Sequence, residues 1–263
     1  MASTDEGEQL TSEHKRRQVL IGAQAELEAA EAWSLLDLDN LDASAPAWLG
    51  VQSGLLSSRY ATSQSLAADY LTDFRLAELG TSAGPIARPG LSDAAAMRML
   101  LSNGLYLPKM LIGRGMLAPD AMRVAKSTVV GQVQRWSLSG GRGLLASTAR
   151  VDRLALYRRV TTGRPCAFCA MLAVRSIESP NSQSVNFRAH AHCGCTVELR
   201  YVDRDETTDT EVEFVQAYRQ AAAQARAAGE PVVAPHGRSR RDTVLWRMRR
   251  NRPDLFSDSI HTH

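Results

Sequence analysis

Four cysteines within thirty residues constrain this chain more than any other feature. They are the only cysteines among 263 residues, and they fall as Cys166-x2-Cys169 and Cys193-Gly194-Cys195, with His190 and His192 just before the second pair. Two ligands two residues apart can reach one ion from a tight turn. A second close pair, from a separate segment, completes a tetrahedron with each thiolate about 2.3 Å from a zinc. A closed tetrahedral set leaves no place for a reacting water, so this pattern predicts a structural zinc rather than a catalytic one. Six side chains compete for four places. Cys166, Cys169, Cys193 and Cys195 form one set, and His190 or His192 replaces a member of the second pair in the other. The competing readings are buried thiols acting as small hydrophobes, redox thiols, and disulfides between the pairs. Two pairs with flanking histidines favour the metal.

Composition narrows the setting. With 44% hydrophobic and 22% charged residues, the chain has enough apolar material for a true core and needs no staples to fold. Aromatics are sparse and Ala and Leu plentiful, which favours helices. The opening MASTDEGEQLTSEHKRR has no apolar stretch behind a basic region, so no secretory signal is expected. No run of about eighteen apolar residues occurs, and no membrane span is expected. Clustered thiols in a reducing cytosol then point to metal. Charge is uneven: residues 1–43 carry ten acids against Lys15, Arg16 and Arg17, while residues 231–263 carry seven arginines against three acids. Ends of opposite sign suit solvated or partner-seeking faces.

Periodicity predicts a helix over 12–37, with Val19, Leu20, Ala23, Leu27 and Ala30 at helical spacing. LDLDNLDASAP reads as a break closed by Pro46, and a second helix covers about 54–79. Residues 80–90 read as a Gly/Pro loop. A helix from Ser92 and Asp93 to about Leu101 is interrupted or kinked at Gly104 and Pro108. Pro119 opens a helix to about Leu138, SLSGGRG reads as a turn, and a short helix runs from Leu144 to about Leu156. The texture changes at Tyr157. YRRV reads as a strand, CAFCAMLAVR as one or two helical turns, IESPNSQSVN as a loop, and TVELRYV as a half-buried strand with Val197, Leu199 and Tyr201 on one face. A helix over 209–228, a linker GEPVVAPHG and a short basic helix before the tail complete the chain. His14, His236, His261 and His263 read as solvated.

No complete catalytic set emerges. Pro165-Cys166-x-x-Cys169 is half of the zinc deaminase signature, but the required upstream His-x-Glu or Cys-x-Glu is missing, since His14 is followed by Lys15 and Arg16. Gly80-Thr81-Ser82-Ala83-Gly84 spells Gly-x-Ser-x-Gly but falls in the Gly/Pro loop after a predicted helix, not between a strand and a helix, so it is no nucleophile elbow. There is no phosphate-binding Gly-Lys-Ser/Thr loop or His-Glu-x-x-His. The expectation is a protein that is not an enzyme.

The segment RRVTTGRPCAFCAML, followed by a loop and FRAHAHCGC, resembles the signature of the Mu F-like phage head-morphogenesis, or minor capsid, proteins, in the variant of actinobacteriophages. The positions carrying the resemblance are Cys166, Cys169, Phe187, His190, Cys193 and Cys195, over about forty-five residues. The resemblance implies a minor component of the phage head, made in the host cytoplasm and placed inside the capsid. It implies association with portal or major capsid protein during assembly or genome delivery, and no catalysis in this module.

The expected architecture is mainly α. A helical domain (1–150) precedes a small α+β zinc-type module (151–205), and a C-terminal helix, linker and basic helix follow (206–263). Two functions fit it. One is a structural head protein that docks through its helices, with zinc fixing a module too small to bury enough surface alone. The other is a zinc-stabilised nucleic-acid-binding protein that grips packaged DNA phosphates through Arg238, Arg240, Arg241, Arg247, Arg249, Arg250 and Arg252.

Overall fold

The first helix starts seven residues before the expected position 12, after a capping threonine. In the computed structural model Thr4 is extended and its hydroxyl accepts the Gly7 amide at 3.0 Å, opening α1 over Asp5–Ala32. Asp5, Glu6 and Glu8 place negative charge at the positive end of the helix dipole. Then come α2 (Leu41–Leu79), α3 (Asp93–Leu101), α4 (Leu107–Gly113), α5 (Ala118–Ser137), α6 (Ser139–Val151), β1 (Leu156–Val160), α7 (Ala167–Glu178), β2 (Thr196–Arg200) and α8 (Asp209–Ala227). Two short strands, β3 (Val233–Ala234) and β4 (Arg238–Ser239), lead into α9 (Arg240–Asn251). The structure describes residues 2–161, 163–178, 187, 189–201, 208–229, 233–234 and 238–257, of which 177–178, 233–234 and 238–242 are described by backbone alone. The expected loop through 179–186, most of the linker, the tail beyond 257, His236, His261, His263 and the Arg238, Arg240 and Arg241 side chains lie outside it.

The fold is mainly helical, with the small strand pair late in the chain. Trp48, Leu56, Leu100 and Val129 centre an apolar cluster shared by α1, α2, α3 and α5. Leu71, Phe74, Leu144, Leu145, Val197 and Leu199 join α2 and α6 to β2. Met171, Phe214 and Met248, with Phe256, hold α7, α8 and α9 together. Strands β1 and β2 pair antiparallel, with Arg158 opposite Glu198 and Val160 opposite Thr196.

Several local expectations are corrected. The apolar row on α1 faces outward: Leu20 is 67% and Leu27 66% exposed. The buried face carries Gly7, Thr11, His14, Gln18, Gly22, Ala25 and Ala29. Small residues there let helices approach closely, and a Cβ on Gly22 would stand 3.1 Å from Leu138. Thr11 and Gln18 find polar partners. Thr11 and Tyr70 share a hydroxyl contact of 2.9 Å, Gln18 donates to the Ser63 carbonyl at 3.0 Å, and the Ser63 hydroxyl donates back at 2.8 Å. His14 is not solvated. It is buried, stacked 4.3 Å from Tyr70, with Nε2 3.4 Å from the Thr196 hydroxyl. Burial, reinforced by Arg17, pushes its pKa down to about 3.

Pro46 does not close a break but sits inside α2. The backbone bond it forgoes would go to Asp42, which is exposed and can be served by water. The expected interruption near Gly104 and Pro108 is a π-helical turn over Ser102–Tyr106, in which the Leu107 amide reaches back to the Ser102 carbonyl. Gly104 lies against Trp48, whose ring would be 2.1 Å from an added Cβ. SLSGGRG is not a turn: Ser139–Gly143 begin α6. Gly140 and Gly141 permit backbone contact with α2, and added Cβ atoms would lie 2.2 Å from the Tyr60 carbonyl and 2.7 Å from the Ser63 carbonyl. Strand β2 is buried on both faces, since Thr196 and Glu198 are as enclosed as Val197 and Leu199. The buried acid is tolerated because Arg158 stands 3.6 Å away, and Arg158 also pairs with Glu211 of α8 at 2.5 Å.

Two stability measurements follow from this packing. Gly140→Ala is expected to cost about 1–3 kcal/mol by forcing α2 and α6 apart, while Gly50→Ala, with open space around it on α2, is expected to gain about 0.5–1 kcal/mol; urea titration of both reads the difference. Between pH 6.5 and 3 the unfolded chain holds a proton on His14 that the folded chain refuses, so stability falls as pH falls through that window. From pH 7 to pH 5 the native chain is expected to lose about 2 kcal/mol more than His14→Gln, measured by denaturant unfolding at each pH.

Candidate metal centre

The strand register brings the two cysteine pairs together. Cys195 immediately precedes Thr196, which pairs with Val160 at the end of β1. Cys166 lies a short turn beyond β1, and Cys169 sits in the first turn of α7. A parallel bridge between Cys166 and Ser257, with the Ser257 amide donating to the Pro165 carbonyl at 3.0 Å, fixes that turn from the C-terminal side. All four thiols are buried and none is in a disulfide.

The donor atoms form two overlapping triads, Cys166–Cys169–His190 and Cys169–Cys193–Cys195, each with its ligand atoms within 4.8 Å of one another. Cys169 belongs to both. Its Sγ lies 3.5 Å from Cys193 Sγ and 3.5 Å from His190 Nε2, close to the separation of about 3.8 Å that two thiolates keep across a tetrahedral ion with 2.3 Å bonds. His190 Nε2 lies 2.9 Å from Cys166 Sγ. His190 Nδ1 lies 2.5 Å from the Ala191 carbonyl, which fixes the ring with Nε2 toward the sulfurs. Soft, enclosed sulfur donors with one imidazole suit a metal ion of the zinc class. Cys166, Cys169, His190, Cys193 and Cys195 are thus gathered in one place and could hold a metal ion.

His192, the sixth candidate, points elsewhere. It adopts φ 58, and its Nδ1 contacts Glu26 of α1 at 2.8 Å. Its ring fits over Gly131 of α5, where an added Cβ would stand 2.5 Å from Nε2. The residue anchors the ligand loop to the helical body.

The charges around the thiols went unread in the sequence. Arg142 of α6 is buried and donates through Nε to the Cys195 carbonyl at 2.9 Å and through Nη2 to the Cys193 carbonyl. Arg159 of β1 places Nη1 3.8 Å from Cys169 Sγ and stacks 3.8 Å over Phe187. Arg142 belonged to a glycine-rich stretch that resembles a turn, and no local signal tied either arginine to sulfurs distant in sequence. The hydrogen bond with Cys169, helped by that with His190, holds the Cys166 thiol down to about 4 against burial. The Cys166 contact raises His190 to about 9.

With this geometry in hand, comparison with known proteins is specific on one point. The model of the VG15 protein family matches residues 1–221, which take in α1 to α7, the strand pair and the whole Cys/His cluster; the chain belongs to this viral (phage) family. No curated protein and no solved structure matches the chain. Among the described residues no helix is long and apolar enough to cross a membrane.

Because Cys169 is common to both triads, Cys169→Ser is expected to drop metal content from about one ion per chain to near none. His192→Ala is expected to keep the ion while loosening the loop from α1. Elemental analysis of the purified chains, with thiols counted before and after denaturation, reads both outcomes.

Proposed function

We propose that this chain is a structural minor capsid protein of the head-morphogenesis kind. In this reading it lies inside the phage head, associates with portal or major capsid protein during assembly or genome delivery, and works by docking rather than by catalysis. Its Cys/His cluster holds one structural zinc. The observation that carries the reading is the viral family match over residues 1–221, which spans both the helical body and the cluster. A second observation supports a docking role. On α1, a helix rich in acids, Val19, Leu20 and Leu27 face solvent at 41%, 67% and 66% exposure, while the helix buries its small and polar side. An exposed apolar row framed by charge is the form an association surface takes.

The zinc supplies cross-linking. It would join the turn after β1 to the loop before β2, and so brace a two-stranded sheet that is too small to be stable alone.

The test is capture of the portal and major capsid proteins encoded by the same phage, with mass spectrometry of purified virions beside it. The native chain is expected in virions and on one of the two partners. The double substitution Leu20→Glu and Leu27→Glu is expected to leave folding within about 0.5 kcal/mol, since both side chains are exposed, and to abolish capture. Absence from virions together with no binding to either partner would end this reading.

A further inference from the structure

Beside the Cys/His cluster, on its helical side, lies a cleft of about 320 Å³. Its wall is built mostly from the end of α5 and one stripe of α6: Arg135, Trp136, Ser139, Arg142, Ser147 and Arg150. Residues 139, 142, 146 and 150 recur at three- and four-residue spacing, so α6 turns one stripe to it, in which Ser139, Arg142 and Arg150 are joined by Ala146. Phe187 closes one side. Among the described residues three guanidinium groups and two hydroxyls line the cleft, and no carboxylate does.

The unmet donors are the unusual feature. Arg135 Nε, Trp136 Nε1 and Arg142 Nη1 are all buried and have no acceptor among the described residues. Arg142 itself is only 5% exposed. Neither Arg135 nor Arg142 forms an ion pair with a carboxylate among the described residues. Buried N–H groups are almost always satisfied, and three orphans belonging to residues that line one cleft mark a region short of acceptors. Burial lowers the pKa of Arg135, the cost of enclosing that cation.

We propose that this cleft binds a phosphate group. A phosphate offers several acceptor oxygens and up to about two negative charges in one compact unit, and guanidinium forks match that geometry. A single carboxylate carries half the charge and two oxygens. The same chemistry is presented by a free phosphate, a mononucleotide or a nucleic-acid backbone, and the volume admits a ligand of mononucleotide size or smaller.

The experiment uses the full-length, metal-loaded chain at fixed ionic strength. Inorganic phosphate, a 5′-mononucleotide, a short single-stranded DNA and a glutamate-rich peptide are titrated by calorimetry. Saturable binding of a phosphate compound, weakened at least tenfold by Arg150→Gln and by Ser147→Glu with metal content and melting unchanged, is the expected result. Arg135 is kept because its Nη1 holds the Ala189 carbonyl beside His190. Ser147 is half-buried on the cleft wall, so its glutamate places repulsive charge there without touching the cysteine loop. Arg142 is left intact because it holds the carbonyls of Cys193 and Cys195. Preference for the mononucleotide over DNA would identify a free ligand, and the reverse a nucleic-acid backbone. The proposal is overturned by no saturable phosphate binding, by binding of the acidic peptide alone, or by phosphate binding that survives both substitutions.

Discussion

The guanidinium of Arg142 is the joint on which the two halves of this molecule depend. It leaves α6, enters the space under the Cys193–Gly194–Cys195 loop, and donates to the carbonyls on both sides of the glycine. Gln134 adds a longer contact of 3.4 Å to the Cys193 carbonyl, and Arg135 one of 3.4 Å to the Ala189 carbonyl. The ligand loop is therefore shaped by the helical body before any metal is considered. The charge is equally needed. Four thiolates around a divalent ion carry a net charge of about −2, and three thiolates with an imidazole about −1. Such an anion in a buried place requires compensating cations. Arg142 and Arg159 stand where they can supply them.

Much of this was legible in the sequence, for reasons that can be traced. The cysteine pairs and His190 announce themselves because ligand spacing is a local property. The helices over 93–101, 118–137 and 209–227 follow from caps and periodicity, signals that lie within a few residues of the element they control. The two strands were visible in YRRV and TVELRYV because the pattern changes abruptly from the helices around them.

What was illegible depended on partners far along the chain. The row Val19, Leu20, Ala23 and Leu27 has the right period, and period alone cannot say which side of a helix is covered. The choice was made by Tyr70, Ser63 and Thr196, which offer polar contacts to Thr11, Gln18 and His14. The glycines of SLSGGRG look like a turn because glycine usually signals one. Here they allow α2 and α6 to touch at backbone distance, a use visible only when Tyr60 and Ser63 are in place. Glu198 on a buried strand face likewise makes sense only beside Arg158.

The burial of His14 against Thr196 has a consequence for synthesis. A ribosome delivers α1 long before it delivers β2, and the two are separated by 182 positions in the chain. Until residues 192–200 emerge, the inner face of α1 lacks Thr196, and Glu26 lacks His192. That helix must wait, partly uncovered, for a segment made much later in translation. Closing so long a loop is slow relative to helix formation. Docking of that one segment thus covers α1 and brings the second cysteine pair to the first.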